Sequence, residues 1–92
     1  MEHTRHIVIV GHVQGVGFRH AMLMKAAEIG VRGWVRNRSD GCVEALIQGT
    51  PEGVARMLAW ARHGPRSARV DRVEVEPGDG EFSGFEARDS VE

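Results

Sequence analysis

Residues 7–30 read IVIVGHVQGVGFRHAMLMKAAEIG, and this stretch decides the fold. The β-branched run at 7–10 predicts a strand buried on both faces. Glycines at 11, 15 and 17 predict a loop after it. Apolar residues then recur at spacings of four, four and three between Phe18 and Ile29, which predicts a helix packed on a core, and Gly30 stands at its expected C-cap.

The rest of the chain predicts a hairpin, a second helix and further strands. Strands at 32–36 and 42–48 flank a turn at 37–41, whose strongest signal is Asp-Gly. Thr50 is the expected N-cap of a helix that starts at Pro51 and stops before Gly64-Pro65. Residues 70–76 alternate as a half-exposed strand, and 82–87 form a short final strand. The core-facing stripe of the second helix comprises Val54, Met57, Leu58 and Ala61.

The order of these elements, β-α-β-β-α-β, predicts a fold class. We expect an α+β, ferredoxin-like sandwich, with an antiparallel or mixed sheet of four to five strands and both helices on one face. The 92 residues are too few for a second core, so we expect residues 1–92 to form a single domain.

Composition excludes several classes of partner. Twelve Lys and Arg against 13 Asp and Glu give a net charge of −1, which disfavours nucleic acid and membrane surfaces as partners. The apolar run at 7–10 is too short for a signal peptide or a membrane span. Cys42 is the only cysteine, which favours a reducing compartment, and we expect it to be a small apolar strand residue. These features predict a cytoplasmic protein, with a monomer as the default at this size.

The loop after the first strand has the properties of an anion site. Gly15 and Gly17 can adopt positive φ, so successive backbone N–H groups can point into one concavity at a helix N-terminus. Arg19 in the first helical turn opposes the helix dipole, and a bound dianion would turn that conflict into a benefit. Walker A and dinucleotide spacings are absent, so nucleotide binding is disfavoured. The residues expected to surround the anion are Gln14, Gly15, Val16, Gly17, Phe18 and Arg19. The alternative is a plain strand-to-helix turn with a solvated Arg19.

Asn37 stands where the second strand enters its turn, and its simplest role is to bond its own backbone. A Mg²⁺ site would need carboxylates near the loop, where Asp40 is the only candidate, and the five histidines show no ligand spacing. We therefore expect no metal and no cofactor.

Two segments together resemble a known family. Gly11-His12-Val13-Gln14-Gly15-Val16-Gly17-Phe18-Arg19 resembles the first signature of the acylphosphatases, and Gly33-Trp34-Val35-Arg36-Asn37 resembles the second. The resemblance extends from Ile7 to about Phe85. It implies a ferredoxin-like fold, metal-independent hydrolysis of acyl phosphates, a phosphate-binding catalytic Arg19 and a water-orienting Asn37. The polar C-terminal segment lacks the family's aromatic residues, which leaves the packing of the last strand open.

Two alternatives to a free-standing hydrolase remain. A ferredoxin-like RNA-binding module would need stacking aromatics on the sheet, and only five Phe and Trp residues occur, none in an RNP-like motif. A phosphate-loop domain retained for carbamoyl phosphate binding or for regulation would resemble the N-terminal module of the hydrogenase-maturation carbamoyltransferases. The 92-residue length favours the hydrolase. No residue pattern outlines an acyl pocket, so the physiological acyl group is left open.

Overall fold

Five strands and two helices occupy residues 1–89, the part of the chain described by this computed structural model. The strands are β1 (His3–His12), β2 (Arg32–Asn37), β3 (Val43–Gly49), β4 (Arg69–Pro77) and β5 (Phe85–Ala87). The helices are α1 (Phe18–Ile29) and α2 (Pro51–Ala61). The β-α-β-β-α-β order and the short last strand predicted from the sequence are confirmed.

The strands form one mixed sheet in the order β4-β1-β3-β2-β5. Its inner pairs are antiparallel, and β5 lies parallel to β2 along one edge. Both helices pack on a single core cluster with one face of this sheet. The structure therefore has the ferredoxin-like α+β fold that the element order predicts.

One face of the sheet carries the core. Ile7 and Ile9 of β1 are fully buried against the helices, together with Ala45 and Ile47 of β3. Val8, between them, points to the opposite face and is only partly buried. The prediction of a strand buried on both faces was therefore wrong, because within residues 1–89 both helices lie on the other face and Val8 stays partly exposed.

Local sequence signals set most element ends. Gly30 caps α1 with a φ of 93°, and the Thr50 hydroxyl accepts a hydrogen bond from the Gly53 N–H at 3.1 Å as N-cap of α2. The hairpin ladder ends at the Asn37–Val43 pair, so its turn spans 38–42 and Cys42 lies in the turn rather than in the strand. β5 begins only at Phe85, later than predicted. No helix within residues 1–89 is long and apolar enough to cross a bilayer.

Candidate active site

The glycine loop connects the end of β1 to the start of α1. Gly15 and Gly17 have φ values of 73° and 78°, in the left-handed region that the sequence predicts for them. Gly17 is the N-cap of α1, and the first turn of that helix contains no acidic residue. The first N–H groups of a helix have no partner within the helix, so they are available to an anion at this point.

A cleft of about 360 Å³ opens over this loop. Arg19 and Asn37 both line it, although they come from different elements and lie far apart in sequence. Gly15, Gly17 and Phe18 also line it, whereas Gln14 and Val16 do not. The sequence did not predict four further lining residues, Val13, His20, Leu23 and Ala87.

Gln14 has a side-chain contact that the sequence did not predict. Its Nε2 donates to the Arg38 carbonyl at 2.7 Å and to the Cys42 carbonyl at 2.9 Å. These two hydrogen bonds join the loop to the turn that follows Asn37. On the other side of the loop, the Ser67 hydroxyl donates to the Val16 carbonyl at 3.0 Å. The loop is thus tied at both flanks, which fixes its position relative to Asn37.

Arg19 is partly buried, and one of its guanidinium nitrogens is already engaged. Nη1 donates to the backbone carbonyl of Arg88 at 2.8 Å, just after β5. A guanidinium has five N–H donors in a planar fork, so the remaining donors can serve an anion in the cleft. The acceptor is a neutral carbonyl, which leaves the positive charge of Arg19 uncompensated by this contact.

The turn after Asn37 is stabilised by the side chain of Asp40. The Asp40 carboxylate accepts from the Cys42 N–H at 3.0 Å and pairs with Arg38 at 2.8 Å. The Cys42 N–H, with help from Arg38, holds the pKa of Asp40 below its usual value. Within residues 1–89 the Asn37 amide makes no side-chain hydrogen bond, so its donor and acceptor are available at the cleft.

Cys42 does not add a nucleophile to the cleft. Burial, reinforced by the neighbouring Asp40, raises the pKa of the Cys42 thiol, so at neutral pH it remains protonated and a poor nucleophile. Between Met1 and Asp89, no three His, Cys, Asp or Glu side chains come close enough together to hold a metal ion.

Among residues 1–89, the sheet face opposite the helices offers no platform for stacking nucleic acid bases. Trp34 is the aromatic residue of the β strands on that face, and it is only 8% exposed. The guanidinium groups of Arg36 and Arg88 lie over its ring, 4.7 Å and 5.1 Å from the centroid. Base stacking requires an accessible ring, so this arrangement disfavours an RNA-binding module.

Fold and cleft together define a class of protein, a ferredoxin-like α+β protein with an amide-lined loop at a helix start. The family model for acylphosphatase matches residues 5–87. An acylphosphatase of Thiobacillus denitrificans is 55% identical over 85 residues, which are 92% of this chain and 96% of that protein. The chain belongs to the acylphosphatase family, and the relatives that it matches are named acylphosphatases, which are enzymes.

Solved structures agree with this assignment. An acylphosphatase from Coxiella burnetii superposes with a TM-score of 0.90 at 35% identity, covering 95% of this chain and 93% of that one. Full-length HypF, solved in a phosphate- and nucleotide-bound form, superposes equally well, with a TM-score of 0.90 at 26% identity. That match covers 98% of this chain but only 12% of HypF, so the same fold also occurs inside a much longer protein.

Proposed function

We propose that this protein hydrolyses the carboxyl-phosphate bond of acyl phosphates, giving a carboxylate and inorganic phosphate, without a metal ion or cofactor. Membership of the acylphosphatase family supports the reaction. The observation that carries the mechanism is the convergence of the loop, Arg19 and Asn37 on one cleft.

The phosphoryl group would sit in the loop. Backbone N–H groups from Gln14 to Arg19 and the free donors of the Arg19 guanidinium would surround its equatorial oxygens. Phosphoryl transfer through a loose transition state depends mainly on positioning and on stabilising charge at those oxygens. Fixed backbone donors supply this stabilisation without reorganising during the reaction.

Asn37 would hold the attacking water in line with the bond that breaks. The water oxygen forms a bond to phosphorus, and the phosphorus–oxygen bond to the acyl group breaks with its electron pair on the carboxylate. Asn37 cannot accept a proton, so we assign one proton of the water to a phosphoryl oxygen of the substrate. The other proton stays on the attacking oxygen, and the products are carboxylate and dihydrogen phosphate.

The leaving group explains why so few residues suffice. A carboxylate has a conjugate acid with a pKa of about 4, so it departs at neutral pH without a general acid. Asp40, the carboxylate in the turn after Asn37, is engaged by Arg38 and by the Cys42 N–H. The acyl group would lie against Leu23 and Ala87, apolar residues that line the cleft.

The deciding experiment is hydrolysis of acetyl phosphate in the presence of a chelator. We expect turnover well above the spontaneous rate. No turnover would contradict the enzymatic proposal, and a requirement for added Mg²⁺ would contradict its metal-free form.

Two substitutions separate the roles of the proposed residues. Arg19→Ala should lose turnover and inhibition by inorganic phosphate together, because both need the guanidinium. Asn37→Ala should keep phosphate inhibition and lose roughly 10²-fold or more in kcat, the scale of a misplaced reactant. An Asn37→Ala enzyme with normal kcat would refute the water-positioning role.

The similarity to HypF, solved with phosphate bound, favours a second candidate, a domain that binds a phosphoryl ligand without hydrolysing it. Carbamoyl phosphate is the ligand that we propose for that role. Carbamoyl phosphate also presents a phosphoryl group to the loop. Comparing kcat/KM for acetyl and carbamoyl phosphate distinguishes the two: tight binding of carbamoyl phosphate with negligible turnover of either compound would favour the second.

A further inference from the structure

Trp34 lies on the sheet face opposite the helices, where an exposed ring would be expected. Two guanidinium groups cover it instead, those of Arg36 at 4.7 Å and Arg88 at 5.1 Å from the ring centroid. The two arginines have different further partners: Arg36 pairs with Glu44 and Arg88 with Glu86, each at 2.8 Å. Of these two arginines, Arg88 is the one that hydrogen-bonds a side chain lining the cleft within residues 1–89, since its carbonyl accepts from Arg19.

The backbone of Arg88 is fixed on both sides. Its N–H donates to the Val35 carbonyl at 2.8 Å, which continues the pairing of β5 with β2. Its carbonyl accepts from Arg19 Nη1, also at 2.8 Å. The direction of that carbonyl is thus set by a backbone bond to β2 and by the stacking of the Arg88 side chain on Trp34.

This chain of contacts matters because an arginine side chain is long and has many rotamers. Ordering it at the moment of binding costs conformational entropy, and a group held in place beforehand avoids that loss. The Arg88 carbonyl restrains one donor of the Arg19 guanidinium, and the other donors of this cleft-lining side chain have no partner within residues 1–89.

We propose that Trp34 is a positioning residue for phosphoryl binding. It holds Arg88 by cation–π stacking, and the Arg88 carbonyl holds Arg19 in the orientation that receives the substrate. The inference rests on the proposed function in one respect only, the role of Arg19 as a phosphoryl ligand.

The kinetic test compares the two arginines on the same ring. Arg88→Ala keeps the carbonyl but removes the stacking, and we expect KM for acetyl phosphate and Ki for inorganic phosphate to rise together, roughly two- to fivefold, as befits one cation–π contact. Arg36→Ala is the matched control, which removes the other guanidinium and leaves KM and Ki unchanged. Equal effects of the two substitutions on KM and Ki would overturn the inference.

Substitutions at the ring itself separate positioning from folding. Trp34→Phe retains an aromatic face and should keep KM within about twofold of the wild type, because phenylalanine also binds cations through its ring. Trp34→Leu should raise KM and Ki as Arg88→Ala does, measured at a temperature where urea unfolding shows the variant to be folded. A folded Trp34→Leu enzyme with normal KM and Ki would contradict the proposal.

A fluorescence readout makes the coupling directly visible. The chain has two tryptophans, so Trp60→Phe leaves Trp34 as the only emitter. Titration with inorganic phosphate should then change Trp34 emission with a midpoint equal to Ki, and Arg88→Ala in this background should abolish the change. Constant emission, in an enzyme whose phosphate inhibition still requires Arg19, would overturn the role of Trp34 but not the proposed function. Phosphate inhibition that survives Arg19→Ala would instead overturn the proposed function.

Discussion

At the scale of single residues, the sequence predicts the backbone conformation of the glycine loop but not the side-chain contacts of Gln14. Positive φ at Gly15 and Gly17 follows from glycine spacing before a helix, which is local information. The bonds from Gln14 to Arg38 and Cys42 span 24 and 28 residues, and no local pattern announces them. The same limit applies to Arg19 and Arg88, which are 69 residues apart.

Replacing Gly17 tests the backbone of the loop apart from its surroundings. A Cβ at Gly17 would meet no atom within 4 Å, so Gly17→Ala should act only through left-handed backbone strain. We expect a loss of roughly 1–2 kcal/mol in the free energy of unfolding for Ala, and a smaller loss for Asn, which tolerates this conformation better. Urea unfolding measures both, and an alanine variant as stable as the wild type would show that this strain is absent.

At the scale of elements, sequence periodicity located both helices and misjudged the surroundings of β1. The bounds of α1 agree with the predicted 18–29. Four consecutive β-branched residues look alike whether one or two layers cover a strand, so the sequence alone could not show that both helices lie on one face of the sheet. The opposite face is occupied by a charged cluster that joins three strands. His6 of β1 lies 2.6 Å and Arg36 of β2 2.8 Å from the Glu44 carboxylate of β3.

The Glu44 cluster should make stability depend on acid pH. Burial alone would raise the pKa of Glu44, but hydrogen bonds from Arg36 and His6 outweigh it and lower the pKa. A carboxylate with a lowered pKa stabilises the fold fully above its unfolded value, about 4.3 for Glu, and loses that stabilisation as pH falls through the folded value.

Glu44→Gln should therefore cost roughly 1.5–3 kcal/mol in unfolding free energy at pH 7, the range for hydrogen bonds to a charged group, and the difference should shrink below about pH 4. Urea titrations across this range measure it. Glu76→Gln is the control, because the Glu76 side chain is 72% exposed and 3.4 Å from His6, and it should change little. A difference between Glu44→Gln and wild type that is independent of pH would contradict the assignment.

At the scale of the whole molecule, the order of elements was predictable and the partner of the last strand was not. With short connections between its elements, the β-α-β-β-α-β order leads to a single arrangement, a sheet with two helices packed on it. Residues 85–87 are too few to carry a periodic signal, and nothing in them indicates parallel pairing with β2. The wall of the cleft contributed by Ala87 was unpredictable for the same reason.

We propose that residues 1–92 unfold as one unit that phosphate stabilises. At 100 times its dissociation constant, inorganic phosphate should add about 2.7 kcal/mol. That would raise the midpoint temperature of a single transition by roughly 10–20 °C for a domain of this size. Calorimetry with and without phosphate measures the shift, and Arg19→Ala should remove most of it. Two separate transitions would refute the single-unit proposal.

The two edge strands of the sheet, β4 and β5, differ in length, but both are poorly suited to pair with a further strand. The outer strand β4 carries paired charges, Arg69 with Asp71 and Arg72 with Glu74, and it ends in a proline at position 77. At the other end, β5 is only three residues long. Charges, proline and shortness each make an edge a poor template for another strand. Both edges therefore disfavour pairing with a strand from a second copy of the chain.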